Sequence, residues 1–511
     1  MSTTASNNLL KLAKNTFIVA SATFLSRILG FVRDLTLAIT LGAGPQADAF
    51  FVAFRLPNLL RRLFAEGSLS MAFIPVFAKT KEESLQKAFV VARSLQIWII
   101  FLLSLIVFLG IIEANSLISL IAPGFKDKPQ LFELTVTLTQ ICLPYIIFIS
   151  SVALYMGILN SLDHFLFPAL APCILNLTLI SFALFGHYFK LNISKTLAIG
   201  VLAAGILQAL SQFPALKKTG FSFKGKIKLF SQELKKNFLL TLPTILGSAV
   251  YQINILLITL LASFLPVGSI SYLYYADRLV QFPLGVFGIA IGTVALPTFS
   301  SLLAQKKIKE LEHNLSTAIN LNLFISLPAA AGLMALSTPI IQTLFGHGSF
   351  TQADVELTAH ALIAYSLGLP AFSLTKTLVS SFYAFEDTKR PVFISILSLF
   401  TNLTLGFLLM KPLKHAGLAL AVSFSSWLNI ILLIYFLKKK IKINWDKKEI
   451  TICLSLSAII YLIAFKLKLN ILGLLLTIII LTLFYILSSY FLQSKSSILI
   501  IKGIMKKIKK E

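Results

Sequence analysis

Charged residues are scarce in this sequence. Its 511 residues include 20 Asp and Glu and 45 Lys and Arg, which is 13% in all, whereas 57% are hydrophobic. A soluble protein carries about 25% charged residues, and a chain this long would form about three to four soluble domains that each need a charged surface. The shortage excludes that class, and the 43 phenylalanines exclude a disordered chain. The composition indicates a polytopic membrane protein.

Cysteine is scarce as well. Cys142, Cys173 and Cys453 all lie in apolar runs, and no two of them have C-x-x-C spacing. This excludes a disulfide framework and a cysteine-based metal site, so we interpret all three as small core residues. The first residues of the chain lack a cleavage pattern after a short apolar core, and we therefore expect no removed signal peptide.

Motifs of catalysis are missing too. No nucleophile with a nearby base is recognisable, and the Walker A-like stretch at 220–227 lacks the Ser or Thr that would bind Mg²⁺. The six histidines are scattered and have no metal-ligand spacing. We therefore expect no enzyme and no cofactor, and the sequence assigns no ligands for a metal ion.

Long apolar stretches, in contrast, are abundant. Fourteen of them can cross about 30 Å of hydrocarbon, which predicts an all-α polytopic membrane protein with 14 transmembrane helices. The predicted spans are 15–41, 46–78, 89–112, 130–158, 164–188, 196–214, 234–264, 269–299, 312–345, 354–384, 391–410, 415–437, 450–466 and 470–492. The second span contains Pro57, which we expect to bend it.

The basic residues of the loops set the orientation. Those on the side of the N-terminus number 29 and those on the opposite side number 8, so the positive-inside rule places both termini in the cytoplasm. Because the loops and tails hold 37 of the 45 basic residues, we expect no nucleic-acid partner. The tail from Ile500 to Glu511 predicts a basic amphipathic helix lying on anionic membrane lipids. Arg93, near a predicted helix end, is expected to reach toward water.

Two parts of the chain resemble each other. Residues 143–178 align without gaps on 369–404, and both stretches begin Leu-Pro and end Asn-Leu-Thr, 226 residues apart. The two Asn-Leu-Thr triplets have the form of glycosylation sequons but lie within predicted spans. Residues 48–56 likewise resemble 272–279. A parallel repeat of this kind predicts two pseudo-symmetric six-helix lobes around a central cavity, which is an architecture of transporters.

The repeat divides the chain into three predicted regions. Residues 1–216 form an N-terminal lobe with helices 1–6, and residues 217–437 form a C-terminal lobe with helices 7–12 that begins with a basic cytoplasmic loop. Residues 438–511 hold two appended helices, 13 and 14, and the basic amphipathic tail.

Eleven ionisable residues lie inside the predicted spans, where a single charge costs about 2.5–3.5 kcal/mol. The cations are Arg27, Arg33, Arg55, Arg61, Arg62, Arg278 and Lys376, and the acids are Asp34, Asp48, Glu66 and Asp277. Helical geometry places Asp48, Arg55, Arg62 and Glu66 on one stripe, and Arg27 on one face with Asp34.

Three roles are open for these charges. They could pair and merely hold the lobes together, they could relay protons or ions, or they could bind an anion. Because the cations outnumber the acids, and because the planar guanidinium fork matches phosphate, we favour a site for phosphate or pyrophosphate, with a carboxylate as the alternative ligand.

The charged segments also carry a family resemblance. The segments that carry it are, in chain order, SRILGFVRDLTLAITLGAGPQADAFFVAFRLPNLLRRLFAEGSLSMAFIPVF (26–77), APGF (122–125), YYADRLVQFPLGVFGIAIGTVALP (274–297), ALIAYSLGLP (361–370), FYAFEDTKRPV (382–392) and PLKHAGLALA (412–421). In this order they resemble the MurJ (MviN) proteins, bacterial flippases for the peptidoglycan precursor lipid II. The resemblance implies the fold of the multidrug/oligosaccharidyl-lipid/polysaccharide exporter superfamily.

The resemblance also implies a substrate and a site. Lipid II, an undecaprenyl-pyrophosphate disaccharide-peptide, would be flipped from the cytoplasmic to the outer leaflet of the bacterial inner membrane by alternating access. Its pyrophosphate would be held by Arg27, Arg33, Arg61, Arg62 and Arg278. The family's acids map onto Asp34, Asp48, Glu66 and Asp277. With Arg55, Gln281 and Lys376, which lie inside the predicted spans, they make up the charge partners that we expect in the cavity. Well-studied members have Glu where this chain has Gln281, which makes the cavity here more positive.

Two alternatives remain at the level of sequence. The chain could flip another polyprenyl-pyrophosphate-linked saccharide, or it could be a non-transporting membrane scaffold of cell-wall synthesis. Cell-wall synthesis proteins would then be partners in addition to lipid II and the membrane lipids.

Overall fold

The computed structural model describes residues 3–62, 69–465, 467 and 469–508, and every regular element in these ranges is a helix. The helices are α1 (Thr3–Leu41), α2 (Pro45–Leu60), α3 (Leu69–Glu83), α4 (Leu85–Ile112), α5 (Ala114–Ile121), α6 (Pro129–Cys142), α7 (Tyr145–Ser161), α8 (Leu166–Tyr188), α9 (Ile193–Lys218), α10 (Gln232–Ser263), α11 (Ser269–Pro283), α12 (Ile289–Ala304), α13 (Ile308–Ala335), α14 (Ser337–Leu344), α15 (Gln352–Ser366), α16 (Leu369–Ala384), α17 (Lys389–Leu437), α18 (Lys447–Ala464), α19 (Ile471–Phe491) and α20 (Lys495–Ile508). The described elements also include a 3₁₀ turn (Pro123–Phe125) and a π turn (Leu284–Gly288).

The helices confirm a multi-pass membrane protein. Within the described residues, nine helical segments are long and apolar enough to cross a membrane, and a bent pair, Ser269–Val286 with Ala290–Ala304, makes ten if it counts as one span. The finer expectation of 14 spans in two six-helix lobes stays a prediction.

The longest helix, α17, contains two of the predicted spans. Its 49 residues would extend about 73 Å at 1.5 Å per residue, far more than the hydrocarbon thickness of about 30 Å. The backbone breaks at Lys414, which has φ 51° and ψ −133°, two residues after Pro412. Proline removes a helical hydrogen bond, and the break falls between the predicted spans 391–410 and 415–437.

The chain divides into two compact units. Unit 1 contains residues 1–268 and 348–350, and unit 2 contains residues 269–347 and 351–511. In unit 1, α8 packs along both α1 and α9, while α7 packs on α9 and α2 on α6. In unit 2, α13 packs on α18, and α16 packs on α12, α13 and α17. The residues 217–268, assigned by sequence to the C-terminal lobe, lie in unit 1; the three predicted regions stay a prediction.

The loop between α9 and α10, residues 219–231, is fastened to α4 of unit 1. Arg93 is only 7% exposed and donates hydrogen bonds to the carbonyl oxygens of Ser222 (3.0 Å) and Lys226 (3.1 Å). The hydroxyl of Ser94 accepts a bond from the Lys228 amide (2.8 Å). The expectation that Arg93 extends toward water was therefore wrong, because its guanidinium serves as a buried donor to loop carbonyls.

In unit 2, Glu449 connects the first turns of α18 and α20. Its buried carboxylate accepts hydrogen bonds from the Ser494 hydroxyl (2.8 Å) and from the amides of Lys495 (2.9 Å) and Ser496 (3.2 Å). Asp446 caps α18 by accepting from the Glu449 amide (3.1 Å) and forms an ion pair with Lys495 (2.7 Å). The start of α20 is thus tied to the start of α18.

Candidate anion-binding site

Arg33 and Asp34 form the best-defined charged pair in unit 1. The Nε and Nη2 atoms of Arg33 both donate to Asp34 Oδ1, at 3.0 and 2.7 Å. The side chains are 13% and 5% exposed. Neighbouring residues on a helix point in different directions, so the Arg33 side chain must fold back to reach Asp34. The pair keeps a cation at a defined place within a predicted span.

A third residue, Asn176 of α8, completes this arrangement. Its Oδ1 accepts a hydrogen bond from Arg33 Nη1 (3.0 Å), and its Nδ2 donates to the carbonyl oxygen of Ser26 (3.0 Å). Asn176 is 5% exposed. Sequence reasoning missed this role, since it recognised the asparagine only as part of a repeated Asn-Leu-Thr triplet that has the form of a sequon.

Arg27 occupies a different environment on α1. Its side chain is exposed, whereas Asp34, the acid with which it was expected to share a face, is paired with Arg33.

The predicted stripe of the second span consists of Asp48, Arg55, Arg62 and Glu66, and the structure describes the first three of these residues. Asp48 is 1% exposed and accepts a hydrogen bond from the Gly268 amide (2.6 Å). Arg55 donates to the Thr259 hydroxyl and to the Ile255 carbonyl oxygen (3.5 Å), both on α10. Asp48 and Arg55 therefore fasten α2 to later parts of unit 1. The fourth member, Glu66, lies outside the described residues.

Two arginines follow α2 directly. Arg61 donates from Nε and Nη2 to Asn58 Oδ1, at 3.1 and 2.8 Å, so its guanidinium is held against the last turn of α2. Arg62 is half-buried. Their positions place two adjacent cations at the end of a helix within one predicted span.

Unit 2 contributes the charged residues of α11. Asp277, Arg278 and Gln281 are all half-buried. The guanidinium carbon of Arg278 lies 4.7 Å from the centroid of the Tyr274 ring, a cation–π distance. Gln281 donates to Asp277 Oδ1 over a long 3.4 Å. A glutamate at residue 281 would instead place a second acid one helical turn from Asp277.

Lys376 lies on α16, in the region where α16 meets α12. Its side chain is exposed, and a Cβ atom added to Gly292 of α12 would lie 2.9 Å from Lys376 Cβ. The two helices therefore approach closely at this point, which places Lys376 at a tight helix–helix contact.

As to metal ions, among the residues that the structure describes no three His, Cys, Asp or Glu side chains lie close enough together to hold one.

The fold is shared with membrane transporters of known structure. An inward-facing multidrug resistance MATE family transporter of the MOP superfamily superimposes with a TM-score of 0.67 at 14% identity, covering 83% of this chain and 97% of that one. The chain thus shares the fold of that transporter. A solved structure of a lipid II flippase MurJ in an inward closed conformation is closer, with a TM-score of 0.81 at 30% identity, over 93% of this chain and 99% of that one.

Sequence comparison gives the family. The sequence model of the "Lipid II flippase MurJ" family matches residues 37–495. The probable lipid II flippase MurJ of Rickettsia prowazekii (strain Madrid E) is 38% identical over 458 residues, covering 88% of this chain and 89% of the relative. That of Vibrio cholerae serotype O1 is 38% identical over 436 residues, covering 83% and 82%. The chain belongs to the lipid II flippase MurJ family, which confirms the resemblance seen in the sequence.

Proposed function

We propose that this protein flips lipid II from the cytoplasmic to the outer leaflet of the bacterial inner membrane by alternating access. The observation that carries the proposal is the match to the lipid II flippase MurJ family over residues 37–495. It is supported by the ionisable side chains that this multi-pass protein carries within apolar helices, since such residues mark substrate pathways.

The pyrophosphate of lipid II is the part of the substrate that arginine can recognise. We propose Arg33, Arg61, Arg62 and Arg278 as its ligands, with Arg27 as a further cation. Arginine presents donors in a planar fork that fits phosphate oxygens, and hydrogen bonds between charged groups are about twice as strong as neutral ones. Arg33 and Arg61 already have part of their donors fixed by Asp34, Asn176 and Asn58, which reduces the entropy lost when a ligand binds.

The acids have a complementary role in this proposal. Asp34 and Asp277 neutralise arginines between transport cycles, and they compete with the pyrophosphate and so help its release. Gln281 carries no charge, so Asp277 is the acid of the motif at 274–297. When the site is empty, its surplus of positive charge favours the inward-facing state, because a membrane potential acts on each charge with about 2.3 kcal/mol per 100 mV.

We also propose the predicted topology: 14 spans, two six-helix lobes, two appended helices and both termini in the cytoplasm. The uneven distribution of 29 and 8 loop cations supports this orientation. The basic tail is proposed to contact anionic lipids. Cell-wall synthesis proteins are proposed as partners because they supply and consume lipid II.

The proposal is tested in cells depleted of their own lipid II flippase. The variants Arg33→Gln and Arg278→Gln should fail to restore growth and should accumulate lipid II in the inner leaflet, because each removes a permanent cation. Arg390→Gln is the matched control, since Arg390 lies in the first turn of α17, is 44% exposed and pairs with Asp387 of the preceding loop. Full transport by both cavity variants would contradict the assignment of these arginines, and failure of the unmodified chain would contradict the function.

A further inference from the structure

The Asn176 carboxamide fixes the direction of the Arg33 guanidinium. We infer that Asn176 is a positioning residue for lipid II: it aims Arg33 at the pyrophosphate without reducing the charge of Arg33. The inference rests on the proposed function, because it assigns a role within the same site.

The orientation of the carboxamide is dictated by chemistry. Arg33 can only donate hydrogen bonds, and the Ser26 carbonyl oxygen can only accept them. Asn176 therefore has to turn Oδ1 toward Arg33 Nη1 and Nδ2 toward the Ser26 oxygen, and both distances are 3.0 Å. Exchanging the two atoms would place donor against donor and acceptor against acceptor.

Packing confines the carboxamide as well. One turn earlier on α8, the Cys173 thiol lies 3.7 Å from the Ala22 carbonyl oxygen of α1, so the two helices run side by side here. A Cβ atom added to Gly30 would lie 3.5 Å from Asn176 Nδ2, an ordinary contact. Asn176 thus lies over α1 between Ser26, Gly30 and Arg33, and the rigid α8 determines where its oxygen points.

The absence of charge on Asn176 is the important property. Asp34 binds Arg33 through Nε and Nη2 and offsets its positive charge. A second carboxylate on Nη1 would add a negative charge beside Arg33 and would repel a pyrophosphate. An amide holds the same atom by a single hydrogen bond and leaves the sum of charges unchanged. Asp34 and Asn176 together accept hydrogen bonds from three nitrogen atoms of the Arg33 guanidinium, and of these two residues only Asp34 is charged.

The inference is tested by ligand binding to the purified full-length protein in lipid nanodiscs. Two probes are compared by native mass spectrometry: lipid II, and undecaprenol, which has the same tail but no pyrophosphate. Asn176→Ala should weaken lipid II binding by about tenfold to a hundredfold, the range for one hydrogen bond to a charged group. Asn176→Asp should weaken it further. Undecaprenol binding should stay the same in both variants, whereas a general packing defect would change both probes.

Thr178→Val is the matched control on the same helix. Thr178 is also buried, but its hydroxyl bonds only to the carbonyl oxygen of Ile174 in its own helix among the contacts described. This variant should bind lipid II as the unmodified protein does. If Asn176→Ala cannot be purified, Asn176→Ser replaces it, because serine also removes the planar amide.

A double-mutant cycle separates this inference from the function on which it rests. If Asn176 acts through Arg33, adding Asn176→Ala to Arg33→Gln should weaken lipid II binding no further, and an additive loss overturns the inference. Normal binding by Asn176→Ala beside impaired binding by Arg33→Gln also overturns it but leaves the proposed function intact. Normal lipid II binding by Arg33→Gln would instead refute the arginine site itself.

Discussion

Replacing Arg93 by methionine should release the α9–α10 loop. Methionine retains most of the apolar stem but removes the guanidinium, and with it the hydrogen bonds to the Ser222 and Lys226 carbonyl oxygens. Hydrogen bonds from a charged donor are worth about 1.5–3 kcal/mol each. Water can reach the carbonyls of an opened loop, so the lower value applies, and the two bonds together amount to about 3 kcal/mol. The open population should then rise about a hundredfold.

The Lys228 amide provides the measurement. It donates to the Ser94 hydroxyl (2.8 Å) although the Lys228 side chain is exposed, so its hydrogen exchange reports opening of the loop. Hydrogen exchange of the 222–231 peptide, measured by mass spectrometry, should be faster in Arg93→Met by about the same factor as the rise in the open population, which is about a hundredfold. Lys87→Met on the same helix is the control, because its 3.4 Å pair with Glu83 is exposed and such pairs contribute at most about 1 kcal/mol. Unchanged exchange in Arg93→Met, or equal acceleration in the control, would refute the reasoning.

Two further predictions concern helix packing and pH. Gly292→Ala should destabilise the protein by about 1–3 kcal/mol, since the added Cβ would lie 2.9 Å from Lys376 Cβ. Gly332→Ala is the control, because an added Cβ there meets nothing within 4 Å, and it should stabilise the protein by up to about 1 kcal/mol. Equal shifts of the melting temperature in the two variants would contradict this prediction. The hydrogen bond from Lys495 lowers the pKa of Asp446, so this pair stabilises the fold above the unfolded-state pKa, and the effect is lost as pH falls through the folded pKa. Lys495→Met should raise the pKa of Asp446 toward its ordinary value, and an unmoved carboxyl titration by NMR would show that the pair is not formed.

Hydropathy predicted several of the membrane-spanning helices, even where charged residues lie within the span. The predicted spans 15–41 and 470–492 correspond to α1, which ends at Leu41, and to α19 at Ile471–Phe491. The end of α1 has a local cause, because Gly42 takes a φ of +69° that favours glycine. The predicted span 354–384 instead contains two helices, α15, which ends at Ser366, and α16, which begins at Leu369. Hydropathy averages over such interruptions and cannot locate them.

The site was predictable in its residue types but not in its pairing. Angles of about 100° per residue placed Asp34 beside Arg27, but that calculation describes Cβ directions only. The long Arg33 side chain reaches back to its neighbour, and the ion pair at 2.7 Å follows from that reach. Asn176 could not be assigned because its partner is 143 residues away. The only signal in the sequence was the triplet repeated at Asn402, which also is buried.

The Glu449 cluster determines where this chain can be shortened. Three donors satisfy the buried carboxylate, and all of them belong to Ser494, Lys495 and Ser496. A chain ending at Gln493 would leave that carboxylate buried without these donors, and a buried charge that loses its partners destabilises a fold by about 3–5 kcal/mol. A chain ending after Ser497 would keep them, together with the Ser497 amide bond to the Ser494 hydroxyl (3.3 Å). A truncation that is to retain these hydrogen bonds must therefore keep the chain through residue 497.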